Sequence, residues 1–431
     1  MKTYYIESLG CAKNLVDSEV FAFILDEAGW EEAEIPEEAD LVLVNTCSFL
    51  EEALQELDMV LSDLAYLKQQ HLTGKLVVTG CVMKRGLETF RRLYPEVDEW
   101  IGLKDFGSFS KWLGLEIPVP AGRIPIQSGY HRYLRISDGC DNDCSYCAIP
   151  SIRGRMRSVP IEQLFQEAEL IASEDDWQFQ ELVVIAQDTA NYGMDIYGRK
   201  ALPELLERLS ALPQYRWIRV MYMHPDHFEP SWLKLWKEHK KLLPYFEIPV
   251  QHSVEHILRS MNRKRKGDEL VEMFDTILEE IPGSVLRTTL ISGFPSETSS
   301  DAVALREFIE RVPFLHLGVF LYSPEEGTPA AGMPRQIAPA TAERRRNRLL
   351  ERQQKRMRQL LEDYVGRTVD VLIEERSDDE DDVFIGRAWF QAPEIDGVTI
   401  VHGDGIHVGE IRPVKITDVI DADLFGEVFS E

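Results

Sequence analysis

The stretch HRYLRISDGCDNDCSYCAIP, His131 to Pro150, decides the reading of this 431-residue chain. His131 to Ser137 has the pattern of a strand. Gly139 to Pro150 is a loop in which Cys140, Cys144 and Cys147 are separated by three and then two residues. CxxxCxxC places three thiols on one short loop. Cubane iron–sulfur clusters take cysteine thiolates as ligands, and full ligation needs four. This loop supplies three with no fourth nearby, which leaves one iron open. Zinc is the competing reading, but structural zinc wants four nitrogen or sulfur ligands, commonly as CxxC pairs.

On the amino-terminal side lie the other three cysteines, Cys11, Cys47 and Cys81, at steps of 36 and 34 residues. Each ends an apolar run: YYIESLGC, LVLVNTC and KLVVTGC. Such runs read as buried parallel strands. Helical patterns fall between them, Asp17 to Ala28 and Phe49 to Leu67, and the step is that of one βαβ unit. The three cysteines therefore sit at carboxyl ends of parallel strands, the edge where open α/β sheets bind ligands. Three buried structural cysteines are the alternative, weakened by Gly10, Thr46 and Gly80, which mark loop ends. Residues 1–125 are read as an N-terminal open parallel α/β domain, closed by the linker Leu115 to Pro125.

On the carboxyl side, strand-like runs alternate with helical ones. The strands are read at His131–Ser137, Glu181–Thr189, Trp217–Pro225, Tyr245–His252, Val285–Pro295 and His316–Pro324, with helices such as Ile161–Ala172 and Thr298–Arg311 between. Six strands in βα alternation predict an open, partial (βα)6 barrel over 126–335. Its strand ends carry Gln187 and Asp188, His224, Gln251 and His252, and Arg287 with Thr288 and Thr289, where a barrel places its active site. A basic connecting helix follows over 336–365, with an apolar stripe of Leu349, Leu350, Met357, Leu360 and Leu361. Residues 366–431 alternate at period two and predict a small all-β barrel of the OB type.

Composition narrows the function. The chain carries 47 lysines and arginines against 74 acids, a net charge of −27, an unlikely balance for a general nucleic-acid binder. From Tyr364 to Glu431 there are 17 acidic residues against 5 basic ones, including SDDEDD at Ser377 to Asp382. That surface repels phosphate and suits a basic protein. No apolar stretch spans a membrane and the start is not a signal peptide, so the expected location is the cytoplasm, where disulfides are rare.

The CxxxCxYC loop resembles that of radical S-adenosylmethionine enzymes. The whole chain resembles the methylthiotransferases among them, which join a three-cysteine domain, a radical barrel and a TRAM barrel. SLGCAKNLVDSE, NTCSF, VTGC, RGRMRS, QDTANYG, IPVQH, MNRKRKG, RTTLISGFPSET and YSPEEGTPA carry the likeness end to end. One branch of that family modifies adenosines in tRNA. The other methylthiolates the β-carbon of an aspartate in ribosomal protein S-twelve, a small and very basic protein; the acidic barrel and its GRAWFQAPEIDGVTIV segment resemble this second branch.

The resemblance implies two [4Fe-4S] clusters, on Cys140/Cys144/Cys147 and on Cys11/Cys47/Cys81, together with S-adenosylmethionine and an electron donor. Arg287 is expected to pair with the methionine carboxylate and Gln251 to reach the ribose, while Gln187 and Asp188 occupy the strand end where members of the family contact the amino group; a loop-stabilising role is the alternative for each. Tyr146 reads as a loop aromatic or as a ring beside the adenine. No side chain is implied as acid, base or nucleophile. Free S-twelve and the assembled small subunit both stand as substrates. The tRNA-modifying reading gives the Arg-rich helix an RNA to grip, and a non-catalytic iron–sulfur scaffold is the third.

Overall fold

A computed structural model describes residues 1–48, 51–115, 122–126, 129–172, 180–378, 380 and 382–428. Parts of the expected linker and of the acidic run lie outside them, as do the first two residues expected in the second helix. Two compact units form: Met1–Ser128 with Gly139–Asp141 and Ala148–Arg155, and Gly129–Asp138 with Asn142–Cys147 and Met156–Glu431.

The first unit is built on a five-stranded sheet of β1 (Lys2–Ser8), β2 (Trp30–Glu32), β3 (Leu41–Thr46), β4 (Lys75–Gly80) and β5 (Glu99–Trp100), in the order β2-β1-β3-β4-β5. Every pairing is parallel. Strand β3 is buried along its whole length, as a parallel strand covered on both faces must be. Helices Ala12–Glu27 and Glu51–Gln69 connect β1 to β2 and β3 to β4. The first begins directly after Cys11, five residues earlier than its periodicity suggested.

In the second unit, β6 (His131–Arg135) leads into a short antiparallel ribbon of β7 (Ser137–Asp138) and β8 (Arg157–Ser158). The barrel strands continue as β9 (Glu181–Ile185), β10 (Trp217–Val220), β11 (Tyr245–Glu247), β12 (Val285–Ser292) and β13 (Phe314–Leu321). Two parallel sheets form, β10-β9-β6 and β11-β12-β13. They are stitched together where Ile218 N donates to Lys241 O at 2.7 Å and Leu243 N donates to Ile218 O at 2.9 Å. Among the described residues β6 and β13 do not pair, so the wall is open, as six strands predict. Helix Pro339–Glu362 lies along β13, where Gln353 Nε2 donates to Phe314 O at 2.8 Å. Its Leu349 and Leu361 are buried, but Leu350 of the expected apolar stripe faces solvent.

The C-terminal barrel is closed in the order β14-β15-β16-β18-β17, over Thr368–Arg376, Val383–Ala388, Thr399–His402, Asp423–Glu427 and Ile411–Ile420. Strands β16 and β18 pair parallel and the others antiparallel, which is OB connectivity. The loop between β15 and β16 reaches the amino ends of the radical-barrel strands. Arg219 donates to Trp389 O at 2.9 Å, His316 Nε2 meets Phe390 O at 2.9 Å, and Tyr245 Oη donates to Asp396 at 2.8 Å. Beneath it, fully buried Glu181 pairs with Arg219 at 2.6 Å and Arg387 at 2.8 Å. Burial alone raises this carboxyl, but the two guanidiniums hold it below the usual range.

Candidate functional site

In the first unit, Leu9-Gly10-Cys11 follows β1, and β4 ends in Gly80 just before Cys81. Gly10 and Gly80 have φ of 97° and 98°, a region side chains rarely enter. A Cβ on Gly10 would lie 2.7 Å from Cys47 Cβ and 3.2 Å from its sulfur, and one on Gly80 would strike the Thr46 backbone at 2.4 Å. Bare backbone at both turns lets the Cys11, Cys47 and Cys81 segments close on one another. Asn14 ties them together. Its amide donates to Leu9 O at 3.0 Å and Thr46 O at 2.8 Å, and its carbonyl accepts from Arg153 and faces the Cys81 thiol at 3.9 Å. Arg153 also donates to Asp17 at 3.2 Å. Burial pushes the Cys81 thiol up to about 12 against the opposing pull of Arg153. Three thiols at one strand-end edge, beside a guanidinium and with buried Asn45 Oδ1 and Ser48 Oγ lacking partners among the described residues, fit a thiolate-held group of net negative charge.

In the second unit, Cys144 and Cys147 lie in the loop after β7, and the carboxyl ends of β9, β10 and β11 bring polar groups to it. Asn142 donates to Asp188 at 2.8 Å, and Asp188 is in turn held by His227 at 2.6 Å and by the backbone N–H of His224 at 3.2 Å. Burial favours the protonated form of Asp188, but the His227 and Asn142 hydrogen bonds hold its carboxyl below the usual range. Gln187 Nε2 donates to Asp138 at 3.1 Å while its buried carbonyl oxygen has no partner among the described residues. Gln251 sits past β11 with φ of 70°, its backbone bonded to Thr289 and Ile291. His224 Nε2 is 3.9 Å from Cys144 Sγ, and burial followed by the nearby Arg263 charge lowers its pKa to about 3.

Tyr146 is anchored. Arg263 donates to its hydroxyl at 2.7 Å, and its ring meets Phe294 edge-on at 6.5 Å. Arg263 is buried and its Nε has no partner among the described residues. A fixed cation near the half-buried Cys144 thiol is an environment for an anionic cluster.

Arg287 requires a correction. It is the third residue of β12, at the amino end, and pairs with Asp396 and, at 3.6 Å, with Glu247. The strand runs on to Ser292, so Arg287 lies away from the carboxyl edge and its charge is already matched. The expected methionine carboxylate pairing is therefore not available to it. Thr288 and Thr289 are mid-strand for the same reason; Thr288 Oγ1 donates to Ile248 O at 2.8 Å. The residues missed from sequence were Asn14, Arg153, Asn142, His227 and Arg263. Two of them lay inside the quoted runs RGRMRS and MNRKRKG.

Three family descriptions match the chain: Uncharacterized protein family UPF0004 over residues 3–102, the Radical SAM superfamily over 134–309 and the TRAM domain over 365–429. The chain is 40% identical to the ribosomal protein uS12 methylthiotransferase RimO of Lachnoclostridium phytofermentans, over 99% of each protein. The chain belongs to the RimO family of radical S-adenosylmethionine methylthiotransferases. It is 39% identical to the RimO of Clostridioides difficile, over 99% of this chain and 98% of that protein. It is 38% identical to that of Thermotoga maritima, over 98% and 99%. Among solved structures it resembles the radical S-adenosylmethionine methyltransferase TsrM of Kitasatospora setae, with cobalamin and a [4Fe-4S] cluster bound. The TM-score is 0.54 at 14% identity, over 77% of each chain, a likeness of fold. As a RimO-family member, the protein is an enzyme of the radical methylthiotransferase class.

Proposed function

We propose that this enzyme methylthiolates the β-carbon of an aspartate in ribosomal protein uS12. Cys140, Cys144 and Cys147 would hold one [4Fe-4S] cluster, and Cys11, Cys47 and Cys81 a second. When bound, such clusters supply the electron that splits S-adenosylmethionine into methionine and a 5'-deoxyadenosyl radical, and the sulfur that the substrate carbon takes up. An aspartate β C–H bond is unactivated, so no side-chain base removes its proton at neutral pH. That is why the site needs no acid–base pair of its own.

The chain's own groups bind and orient. The unmatched carbonyl of Gln187 suits the methionine ammonium. Asp188 orders Asn142 and His227 around the loop and adds negative charge for the same ammonium. Gln251 stands where a ribose hydroxyl would be met, and Tyr146 closes the adenine side. The apolar cluster of Ile257, Met261, Ile291, Phe294 and Ala330, with Tyr146 packed on it, backs one side of the loop.

The observation that carries the substrate assignment is the end-to-end match to uS12 methylthiotransferases, together with an acidic terminal barrel suited to a basic protein. The proposed place of action is the cytoplasm, on free uS12 or the small subunit, with a one-electron donor as second partner. No helix among the described residues is long and apolar enough to cross a membrane. The tRNA alternative leans on the Arg-rich helix, but there Arg345, Arg352 and Arg358 are paired with Glu297, Glu310 and Glu362.

The test uses the reconstituted full chain with uS12, S-adenosylmethionine and reductant. Cys144→Ala abolishes 5'-deoxyadenosine formation. Cys47→Ala keeps that cleavage and makes no methylthiolated product; methylthiolated product from Cys47→Ala overturns the division of labour.

A further inference from the structure

We infer that His224 is a positioning residue for the loop cluster: its Nε2–H donates a hydrogen bond to the sulfur of Cys144 and makes the cluster easier to reduce. The inference rests on the cluster assignment above and goes beyond it to a residue outside the ligand set. The tautomer follows from geometry. The backbone N–H of Asp226 donates to His224 Nδ1 at 3.2 Å. A peptide nitrogen keeps its proton, so Nδ1 must be the lone-pair nitrogen, and the proton of a neutral imidazole then lies on Nε2. That nitrogen is the one 3.9 Å from Cys144 Sγ, within reach for the larger sulfur acceptor.

The competing acceptors are engaged elsewhere. Asp226 takes backbone N–H groups of Lys264 and Arg265 at 3.0 and 2.9 Å. The Asp188 carboxylate takes the His224 backbone N–H, Asn142 and His227. The ring is buried, so no bulk solvent competes for its proton.

An N–H aimed at a cluster sulfur stabilises the reduced form, because reduction adds an electron whose charge spreads onto the sulfurs. The electron comes from the external reductant, and the imidazole proton stays where it is. Radical cleavage requires a reduced cluster, so a second-sphere donor here favours the first step of turnover.

The test is a potentiometric titration of the reconstituted full chain followed by electron paramagnetic resonance, with dithionite as reductant. The signal that changes on adding S-adenosylmethionine identifies the loop cluster. His224→Phe keeps a ring and removes the donor; the expected result is a tenfold less favourable reduction equilibrium, about 59 mV for one electron, with iron and sulfide content unchanged. His224→Gln places an amide N–H near the same point and is expected to restore most of the loss. Equal potentials in His224→Phe and the parent overturn the inference. If the Phe variant does not fold or load iron, the parent itself decides. With 15N-histidine, the reduced loop cluster shows a weak nitrogen coupling that His224→Gln lacks, and absence of that coupling overturns the inference. A parent with no S-adenosylmethionine-responsive signal instead marks failure of the cluster assignment.

Discussion

Arg287, near the amino end of β12, forms an ion pair with Asp396, which lies in the loop between the first two full strands that follow β14 in the TRAM barrel. Asp396 also accepts from Tyr245 Oη and from the Ala392 backbone, each at 2.8 Å. Burial raises this carboxyl, but His316 and Arg287 hold it below the usual range. The loop thus fastens the C-terminal barrel to the floor of the radical barrel. Removing one partner leaves the other charge buried and alone. Asp396→Ala should therefore cost about 3–5 kcal/mol, read by denaturant unfolding. Arg287→Ala should destabilise similarly while S-adenosylmethionine affinity, measured by equilibrium dialysis below the unfolding range, stays within about twofold. A selective loss of affinity with stability intact would return Arg287 to the cofactor.

Asn14 holds the amino-terminal cysteine turns through both ends of its amide. Asn14→Leu keeps the branched outline of the side chain and strands Leu9 O, Thr46 O and one Arg153 donor. Iron in the reconstituted chain should fall from about eight toward about four per molecule, with cleavage of S-adenosylmethionine retained. Full iron in Asn14→Leu would show that the turns close without it.

His252 gives the fold a pH limit. The ring is fully buried, and Val254 N donates to its Nδ1 at 3.0 Å. Burial, opposed by Asp301 and aided by His256, lowers its pKa to about 3. An unfolded histidine titrates near 6.5. Below that pH the unfolded chain takes up a proton that the folded chain refuses until about pH 3. The stability this group contributes is therefore present above pH ~6.5 and is lost as pH falls through that window. His252→Asn keeps an acceptor for Val254 N and should flatten the loss between pH ~6.5 and 5 in urea unfolding. An unchanged slope would assign the acid limit elsewhere.

Much of this was legible in the chain itself, for reasons that differ by element. Strands β3 and β4 are apolar runs because both faces are covered, and Cys47 and Cys81 follow them directly; β1 is only half-buried, and Cys11 comes three residues after its end. Edge strands β2 and β5 escaped notice because WEE and EW are short and charged. The fifth barrel strand, Asp423–Glu427, is likewise short, with Gly426 inside it. The cysteine loop was legible because its three cysteines lie close together in sequence. Arg287 was misplaced although its strand was found: it is the third residue of β12, five residues short of the carboxyl edge, and so belongs to the amino end. Arg153 and Arg263 act across long sequence separations, and Asn14 joins Leu9 to Thr46, 32 residues on, so their motifs were visible and their roles were not. GRAWFQAPEIDGVTIV read as a lineage signal, whereas its physical task is the buried network with Arg219, Tyr245, Arg287 and His316.

Charge complementarity should set the encounter rate. Asp378, Glu380 and Asp382 replaced together by Asn, Gln and Asn should slow association with uS12 by about threefold to tenfold at low salt and leave cleavage of S-adenosylmethionine unaffected. Added salt should erase the difference, since exposed charges are screened. A salt-independent rate would remove the acidic barrel from the recognition argument.

The central claim is the substrate, and one comparison tests it: the intact mass of uS12 and the modified-nucleoside profile of tRNA, from one strain with and without this gene. The account predicts loss of a methylthio mass on the uS12 aspartate peptide with tRNA unchanged. Loss of methylthioadenosine with uS12 unchanged would contradict it.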